Sequence, residues 1–143
     1  MRISVSTILL WIVVIGLLLI NIVSAISGQS YIAVVSGVSM EPILSTGDLV
    51  FIVPVKDPSE ISVGDVVVYK SASGRYIIHR VINIINVGGN TYFITKGDNN
   101  LVPDPSVPGL PGIPFENIVG KVVSVGGSVL KIPYIGIISL FRK

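Results

Sequence analysis

The longest apolar stretch of the chain stands at its N terminus. Residues 3–26 carry no ionisable side chain, which does not fit the surface of an ordinary soluble domain. About 20 apolar residues in a helix are enough to cross a bilayer. Because Arg2 precedes the stretch and the next charge is Glu41, the positive-inside rule predicts a cytoplasmic N terminus at 1–2 and an extracytoplasmic remainder. The stretch is therefore predicted to be a single-pass transmembrane anchor.

A cleaved secretory signal peptide is the alternative for the same stretch. Its apolar core is about 7–15 residues long and ends in small residues at the cleavage site, and the Val-Ser-Ala at 23–25 could supply them. The apolar run from Ile8 to Ile26 is longer than such a core, which favours a retained anchor. The predicted location is the cell membrane, or the endoplasmic-reticulum membrane in a eukaryote.

Short runs rich in β-branched and aromatic residues follow a polar linker at 27–30. Such runs, separated by turn residues, are typical of strands. They lie at residues 31–36, 48–53, 65–70, 76–84, 91–96 and 117–125. No helical period of adequate length occurs within 31–128. An all-β domain, either a partly closed barrel or two packed antiparallel sheets, is predicted there.

Two further segments have their own composition. Residues 103–114 hold five prolines, which cannot donate to a sheet ladder, so an ordered loop outside the sheet is predicted. The C-terminal tail at 129–143 is apolar over 132–141, too short a run to cross a bilayer. It is predicted to be either a final strand or a membrane-interfacial segment.

The charged residues argue against several classes of function. Between Tyr31 and Ser128 there are six basic and eight acidic side chains, and without a basic face no nucleic-acid binding is expected. One histidine and no cysteine make a zinc site improbable. The Asp-Asn-Asn at 98–100 lacks the later glycine and glutamate of an EF-hand calcium loop. No metal and no cofactor are predicted.

Ser39 and His79 are the first candidates for chemistry. A serine hydroxyl is a weak nucleophile without an adjacent base, and His79 is the only histidine in the chain. Strand alternation places His79 on one face with Ile77 and Val81. The structural alternatives are a turn hydroxyl for Ser39 and, for His79, a core or edge histidine whose hydrogen bonds are satisfied.

Acidic and basic residues elsewhere complete the candidate set. Asp98 and Asp104 could orient the histidine, because a basic histidine works best with an acceptor that fixes its tautomer. Asp98 could equally form an Asx turn, whereas Asp104 lies between two prolines that would hold its backbone rigidly. Lys70 is a rival base for Ser39, since Ser-Lys pairs exist, but its turn-like surroundings favour a solvated lysine.

Four segments, taken in order, resemble type I signal peptidases, most closely the archaeal and endoplasmic-reticulum branch. They are SGVSMEP, GDVVVYK, IIHRV and KGDNNLVPD, at residues 36–42, 64–70, 77–81 and 96–104. The resemblance extends from the anchor to about residue 125. It implies a membrane-anchored serine endopeptidase that removes signal peptides from secreted preproteins.

The resemblance also assigns roles to residues. Ser39 corresponds to the nucleophile, and His79 to the histidine base that replaces the lysine of bacterial members. Asp104 corresponds to the acid of the triad and Asp98 to a second acid that holds the site together. Many members carry a serine at the position of Gly37, so the oxyanion donors here are expected to be the Ser39 N–H and a backbone N–H near Gly37.

The resemblance implies partners as well. Preproteins with small residues at the first and third positions before the cut are the expected substrates, and residues near 33–39 are expected to line the pockets that receive them. The lipid bilayer is the second expected partner. Membrane partner subunits are not identified by the sequence.

Two other functions fit parts of the pattern. A non-enzymatic, membrane-anchored β-module, such as a scaffold or receptor subunit, would keep the strands without a Ser-His-Asp arrangement. A self-cleaving repressor-type protease of similar β fold is a weaker alternative, because the chain has an apolar N terminus and no DNA-binding region.

Overall fold

A computed structural model describes residues 4–27 and 31–136 of the chain. The chain divides into two compact units, residues 1–31 and residues 32–143. The predictions for the N terminus at 1–2, for residues 28–30 of the linker and for the last residues of the tail, 137–143, concern residues outside this description.

The described part of the first unit is mostly the helix α1, from Val5 to Ser27. Ser4 precedes it, and its hydroxyl oxygen accepts a hydrogen bond from the Thr7 N–H at 3.2 Å. This is the bond that serine makes at the N-cap of a helix. Within the described residues, the structure has no helix that is both long enough and apolar enough to span a membrane.

Apart from two 3₁₀ turns, the regular secondary structure described in the second unit consists of strands, so the predicted all-β domain is confirmed. In chain order the strands are β1 (Ile32–Val34), β2 (Leu49–Val53), β3 (Val66–Lys70), β4 (Tyr76–Val87), β5 (Asn90–Lys96), β6 (Ile113–Pro114), β7 (Ile118–Val122), β8 (Ser124–Val125), β9 (Ser128–Val129) and β10 (Lys131–Ile132). Two single-turn 3₁₀ helices, Pro58–Glu60 and Phe115–Asn117, lie between them.

All pairs among the described strands are antiparallel. The main sheet has the order β1-β2-β7-β3-β4-β5-β6, with β10 also paired to β2, and β8 and β9 form a separate two-stranded sheet. The prediction that 103–114 lies outside the sheet is wrong for its last two residues, because Ile113 and Pro114 pair with β5 as β6. A proline is tolerated there because β6 ends the order of the sheet and needs no second ladder on its outer side.

Strand β3 is covered on both faces and organises the core. Val66 and Val68 belong to one buried cluster, whereas Val67 and Tyr69 belong to another. Alternate residues of a strand point to opposite faces, so the two clusters lie on opposite faces of β3. This explains why the β3 sequence is an almost unbroken apolar run instead of an alternating one.

The tail begins as a strand. Lys131 and Ile132 pair with β2 as β10, and the Gly136 N–H donates to the Gly47 carbonyl at 2.9 Å. A side chain at Gly136 would meet the Val34 methyl groups at 2.6 and 2.7 Å. The tail therefore packs against the β-domain as far as residue 136.

Candidate active site

The segment after β1 presents Ser39 next to buried anchors. Met40 and Leu44 are 1% and 0% exposed, and the Leu44 N–H donates to the Met40 carbonyl at 2.9 Å. Gly37 has a φ of +109°, which a residue with a side chain adopts only with strain. The tight turn and the buried residues behind it fix the position of the Ser39 backbone.

The loop at 97–100 holds the same backbone from the other side. The Asn99 N–H donates to the Ser39 carbonyl at 2.8 Å, and the Asn99 side-chain amide donates to the Val38 carbonyl at 3.1 Å. Gly97 lies so close that a Cβ there would stand 2.5 Å from the Ser39 carbonyl oxygen. The loop thus needs a glycine at 97 to approach the serine.

His79 reaches Ser39 from the middle of the main sheet. It lies on β4, directly opposite Val67 of β3, and is 7% exposed. Its Nε2 lies 2.9 Å from Ser39 Oγ. The pair joins residues 40 positions apart in the chain.

Asp104 completes a chain of hydrogen bonds. Its Oδ2 lies 2.6 Å from His79 Nδ1, and both side chains are 8% exposed. The Asp104 N–H donates to the Thr95 carbonyl at 2.8 Å, which ties the proline-rich loop to β5. The same Oδ2 accepts hydrogen bonds from Thr95 Oγ1 at 2.6 Å and from the Tyr69 hydroxyl at 2.9 Å.

These contacts keep Asp104 ionised. Burial alone would raise the pKa of its carboxyl, but hydrogen bonds from His79, Thr95 and Tyr69, together with the histidine's charge, hold that pKa below its ordinary value. Burial, and secondarily the Asp104 charge, raises the pKa of Tyr69, so its phenol stays protonated and acts as a donor.

The ionised carboxylate fixes the histidine tautomer. A carboxylate can only accept hydrogen bonds, so His79 Nδ1 carries the proton of that contact. In the neutral ring Nε2 is then the acceptor, and it faces the Ser39 hydroxyl. The arrangement can therefore withdraw a proton from Ser39 and stabilise the resulting positive charge.

Asp98 and Lys70 lie outside this chain of contacts. Asp98 forms a two-point ion pair with Arg80, at 2.8 Å to Nε and 2.6 Å to the second terminal nitrogen. Arg80 also donates to the Gly64 carbonyl at 2.7 Å. Lys70 is exposed at the end of β3. Asp98 thus braces the residue that follows His79, and Lys70 is solvated as expected.

The two predicted oxyanion donors differ in their surroundings. The Gly37 N–H donates to Thr46 Oγ1 at 3.0 Å, and that hydroxyl donates back to the Gly37 carbonyl at 2.9 Å. Within residues 4–27 and 31–136, no acceptor is bonded to the Ser39 N–H. Gly37 would have to give up the Thr46 contact to serve, so its role stays a prediction.

A cavity of about 500 Å³ opens beside Ser39 and His79. It lies between β1 with the residues that follow it and the first half of β4. Its lining is mostly apolar and includes several of the residues near 33–39 that the sequence singled out. The lining residues are Ala33, Val34, Val35, Ser36, Ser39, Met40, Val68, Arg75, Tyr76, Ile77, Ile78 and His79.

Sequence reasoning missed Tyr69, Thr95 and Asn99 as neighbours of the candidate triad. Strand alternation gave a partial signal, because Tyr69 is two residues from Val67, which pairs with His79. Thr95 could not be found this way, since it depends on the register of β5 against β4. That register shifts between Val81 and Asn83, so residue spacing alone does not give it.

Comparison with known proteins reveals relatives that match most of the chain. A Signal peptidase I W of Bacillus subtilis is 36% identical over 56% of this chain and 42% of its own length. A Signal peptidase complex catalytic subunit sec11 of Sclerotinia sclerotiorum is 34% identical over 82% of this chain and 66% of its own length. An uncharacterized protein of Methanocaldococcus jannaschii is 27% identical over 80% and 84% of the two chains.

These names confirm the resemblance to type I signal peptidases, including the endoplasmic-reticulum branch. The chain spans 42% of the bacterial relative and 66% of the fungal one. A family model described as Peptidase S24-like matches residues 16–123, which include Ser39, His79, Asp98 and Asp104. The match covers well over half of the chain, and the protein therefore belongs to the Peptidase S24-like family.

Proposed function

We propose that the protein is a membrane-anchored serine endopeptidase that removes signal peptides from preproteins. The observation that carries the proposal is the partly buried chain of contacts from Ser39 through His79 to Asp104, at 2.9 and 2.6 Å. Nucleophile, base and orienting acid within hydrogen-bond reach are the signature of an activated serine. The signal-peptidase names of the relatives supply the class of substrate.

The proposed reaction is acyl transfer in two steps. Ser39 Oγ attacks the scissile carbonyl carbon while its proton passes to His79 Nε2. His79 then gives this proton to the leaving amine, and the peptide bond breaks to leave an acyl ester on Ser39. Water then attacks the ester while His79 Nε2 takes its proton. The bond between the acyl carbon and Ser39 Oγ breaks, His79 returns the proton to Oγ, and the acid product leaves. Asp104 stabilises the imidazolium through Nδ1 at both steps.

The Ser39 N–H is the first proposed oxyanion donor, because it points to no acceptor within the part of the chain that is described. The Gly37 N–H is the second, on release from Thr46 Oγ1. Losing one such donor typically costs about 2.7–4 kcal/mol of transition-state stabilisation. Substrate binding would thus have to break the Gly37–Thr46 contact for full activity.

The substrate is proposed to bind as an extended strand in the cavity. The β4–β5 ladder begins at Arg80, so the edge of β4 before it is unpaired on that side. Among the described strands, β1 pairs only with β2. Two strand edges beside one cavity can receive a peptide through main-chain hydrogen bonds, and the apolar lining suits the small side chains expected before the cut.

The anchor belongs to the proposal too. It rests on residues 3–26, which lack ionisable side chains. The side chains of Leu9, Trp11 and Ile12 in α1 are 58%, 59% and 61% exposed, and a bilayer would cover such surface at little cost. We propose a cytoplasmic N terminus and an extracytoplasmic β-domain. Partner subunits are part of the proposal as well, because the sec11 relative is named as the catalytic subunit of a signal peptidase complex.

The experiment is cleavage of a purified preprotein by the full chain in detergent, with the products mapped by mass spectrometry. We expect wild type to make one cut at the end of the signal sequence, with small residues before the cut. The Ser39→Ala protein should make no cut, while its circular dichroism spectrum stays the same as that of wild type. Lys70→Ala serves as the matched control and should keep wild-type activity. Cleavage by the Ser39→Ala protein would refute the proposal.

A further inference from the structure

One oxygen atom of Asp104 receives three hydrogen bonds. His79 Nδ1, Thr95 Oγ1 and the Tyr69 hydroxyl all contact Oδ2, at 2.6, 2.6 and 2.9 Å. Only the first of these belongs to the proposed triad. The other two come from uncharged side chains that the proposed reaction does not yet use.

The two hydroxyls reach Asp104 from both strands that flank the histidine strand. Tyr69 stands on β3, two residues beyond the partner of His79. Thr95 stands on β5 opposite Val81, which is two residues beyond His79 on β4. The register therefore places Tyr69 and Thr95 on the same face of the sheet as the imidazole.

Burial makes both contacts hard to exchange for water. Tyr69 is 2% exposed and Thr95 is 1% exposed. Buried hydroxyls need a partner, and a buried carboxylate needs several donors. A rotation of the Asp104 side chain away from β3 and β5 would break both hydroxyl contacts and the contact with His79, so the three contacts together hold the carboxylate in one orientation.

We propose that Tyr69 and Thr95 are positioning residues, whose hydroxyls hold Asp104 Oδ2 against His79 Nδ1. The inference rests on the proposed peptidase function for its kinetic consequence. It does not depend on that function for the geometry of the Asp104–His79 contact, which can be measured separately.

The charged side chains next to His79 and Thr95 bind partners other than Asp104. Arg80, the neighbour of His79 on β4, pairs with Asp98. Lys96, the neighbour of Thr95 on β5, donates to the Asn100 carbonyl at 2.9 Å. Arg75 lies farther along the cavity wall. Within the part of the chain that is described, the donors bonded to the Asp104 carboxylate are therefore His79 and the two hydroxyls.

The test compares full-chain variants that remove the hydroxyls and keep the shape. These are Tyr69→Phe, Thr95→Val and the double variant. Thr95→Ser restores a hydroxyl and serves as the rescue. The matched controls are Tyr92→Phe and Thr91→Val, which make the same chemical changes elsewhere on β5. Neither Tyr92 nor Thr91 contacts Asp104.

We expect kcat of the double variant to fall roughly 10-fold to 100-fold with little change in KM, well short of the roughly 10⁴-fold loss that follows from a wrong histidine tautomer. The acid limb of its kcat/KM profile should move to higher pH, because a carboxylate with fewer donors takes up a proton more readily. Thr95→Ser should match wild type in both respects, as should the two controls.

A spectroscopic measurement separates this inference from the proposed function. His79 is the only histidine in the sequence, so its downfield Nδ1–H proton resonance is unambiguous. We expect a sharp resonance in wild type and in the controls, and a broadened or lost one in the double variant. If neither wild type nor any variant cleaves the preprotein, the peptidase proposal fails. The resonance then still shows whether Tyr69 and Thr95 position Asp104.

Two results would overturn the positioning role. One is an unchanged downfield resonance in the double variant. The other is a double variant that loses thermal stability while kcat and the pH profile stay at wild-type values. That second pattern would mean that the hydroxyls only satisfy buried polar groups.

Discussion

At the scale of single residues, the two acids of the 96–104 segment have different partners. Asp104 contacts His79 Nδ1, and Asp98 contacts the Arg80 side chain. We expect Asp104→Asn to lower kcat by about 10⁴-fold, because an amide can hold the wrong histidine tautomer. Asp98→Asn should cost less than about 10²-fold, since it disturbs only the bracing of a neighbour.

Steady-state kinetics with a preprotein measure both losses, with thermal unfolding as the control for stability. If Asp98→Asn is the more damaging of the two at equal stability, the acids are assigned in reverse order.

The candidate site was only partly predictable from residue types. Ser39, His79 and both aspartates follow from spacing and from the family resemblance. Tyr69 and Thr95 do not, because their contact with Asp104 requires the register of three strands and the shift between Val81 and Asn83. A local sequence pattern predicts which face of the sheet a side chain occupies. It does not predict which residue of the neighbouring strand lies beside it.

At the scale of elements, the close approach of the 97–100 loop to the serine segment sets the position of Ser39. A methyl group at Gly97 would stand 2.5 Å from the Ser39 carbonyl oxygen and 2.8 Å from the Asn100 side chain. We expect Gly97→Ala to lower kcat by up to about 10²-fold, because the displaced backbone carries the nucleophile.

Gly16→Ala is the matched control, since the same methyl group meets nothing within 4 Å there. Preprotein cleavage measures the effect. Wild-type kcat in Gly97→Ala would show that the serine segment is not held by this contact.

The attachment of β10 to β2 depends on a buried charge. Asp48 is 1% exposed and accepts a 2.6 Å hydrogen bond from Lys131. Burial by itself would raise the pKa of Asp48. The hydrogen bonds from Lys131 and from the Ser45 and Tyr134 N–H groups outweigh this effect and hold that pKa below its ordinary value. Lys131→Met should therefore destabilise the fold by about 3 kcal/mol at pH 7, by leaving a buried charge unpaired.

This loss should shrink with acid. A group whose pKa is lowered in the folded state stabilises the fold above its unfolded pKa of about 3.9 and loses that contribution as pH falls through the folded value. Thermal unfolding at pH 7 and pH 3 measures the difference. Lys121→Met, which breaks a more exposed pair with Asp65 at 3.1 Å, is the control and should cost less than about 1 kcal/mol. Equal losses in both variants would contradict the role of burial.

The strands were the most predictable elements. The runs at 48–53, 65–70 and 76–84 correspond to β2, β3 and β4, because β-branched residues and flanking turns mark them locally. Strand β6 was missed because a proline-rich segment reads as a loop, and only its pairing with Tyr92 and Phe93 makes it a strand.

At the scale of the whole molecule, the proposed anchor can be tested through its apolarity. Each charge placed at the centre of a membrane helix costs about 2.5–3.5 kcal/mol of insertion free energy. We expect Ile12→Asp/Leu18→Asp in the full chain to move the protein from the membrane pellet to the soluble fraction. Ile12→Val/Leu18→Ile should remain in the pellet. If the aspartate variant stays in the pellet after carbonate extraction, residues 3–26 are not the anchor.

The most direct test of the proposed activity is whether Ser39 and His79 act as one unit. We expect Ser39→Ala, His79→Ala and the double variant to show nearly the same residual kcat/KM for preprotein cleavage, because either change removes the activated nucleophile. Lys70→Ala should equal wild type. A serine peptidase with a histidine base would be contradicted if the loss in the double variant equalled the product of the two single losses. It would also be contradicted if His79→Ala kept its activity while Lys70→Ala lost it.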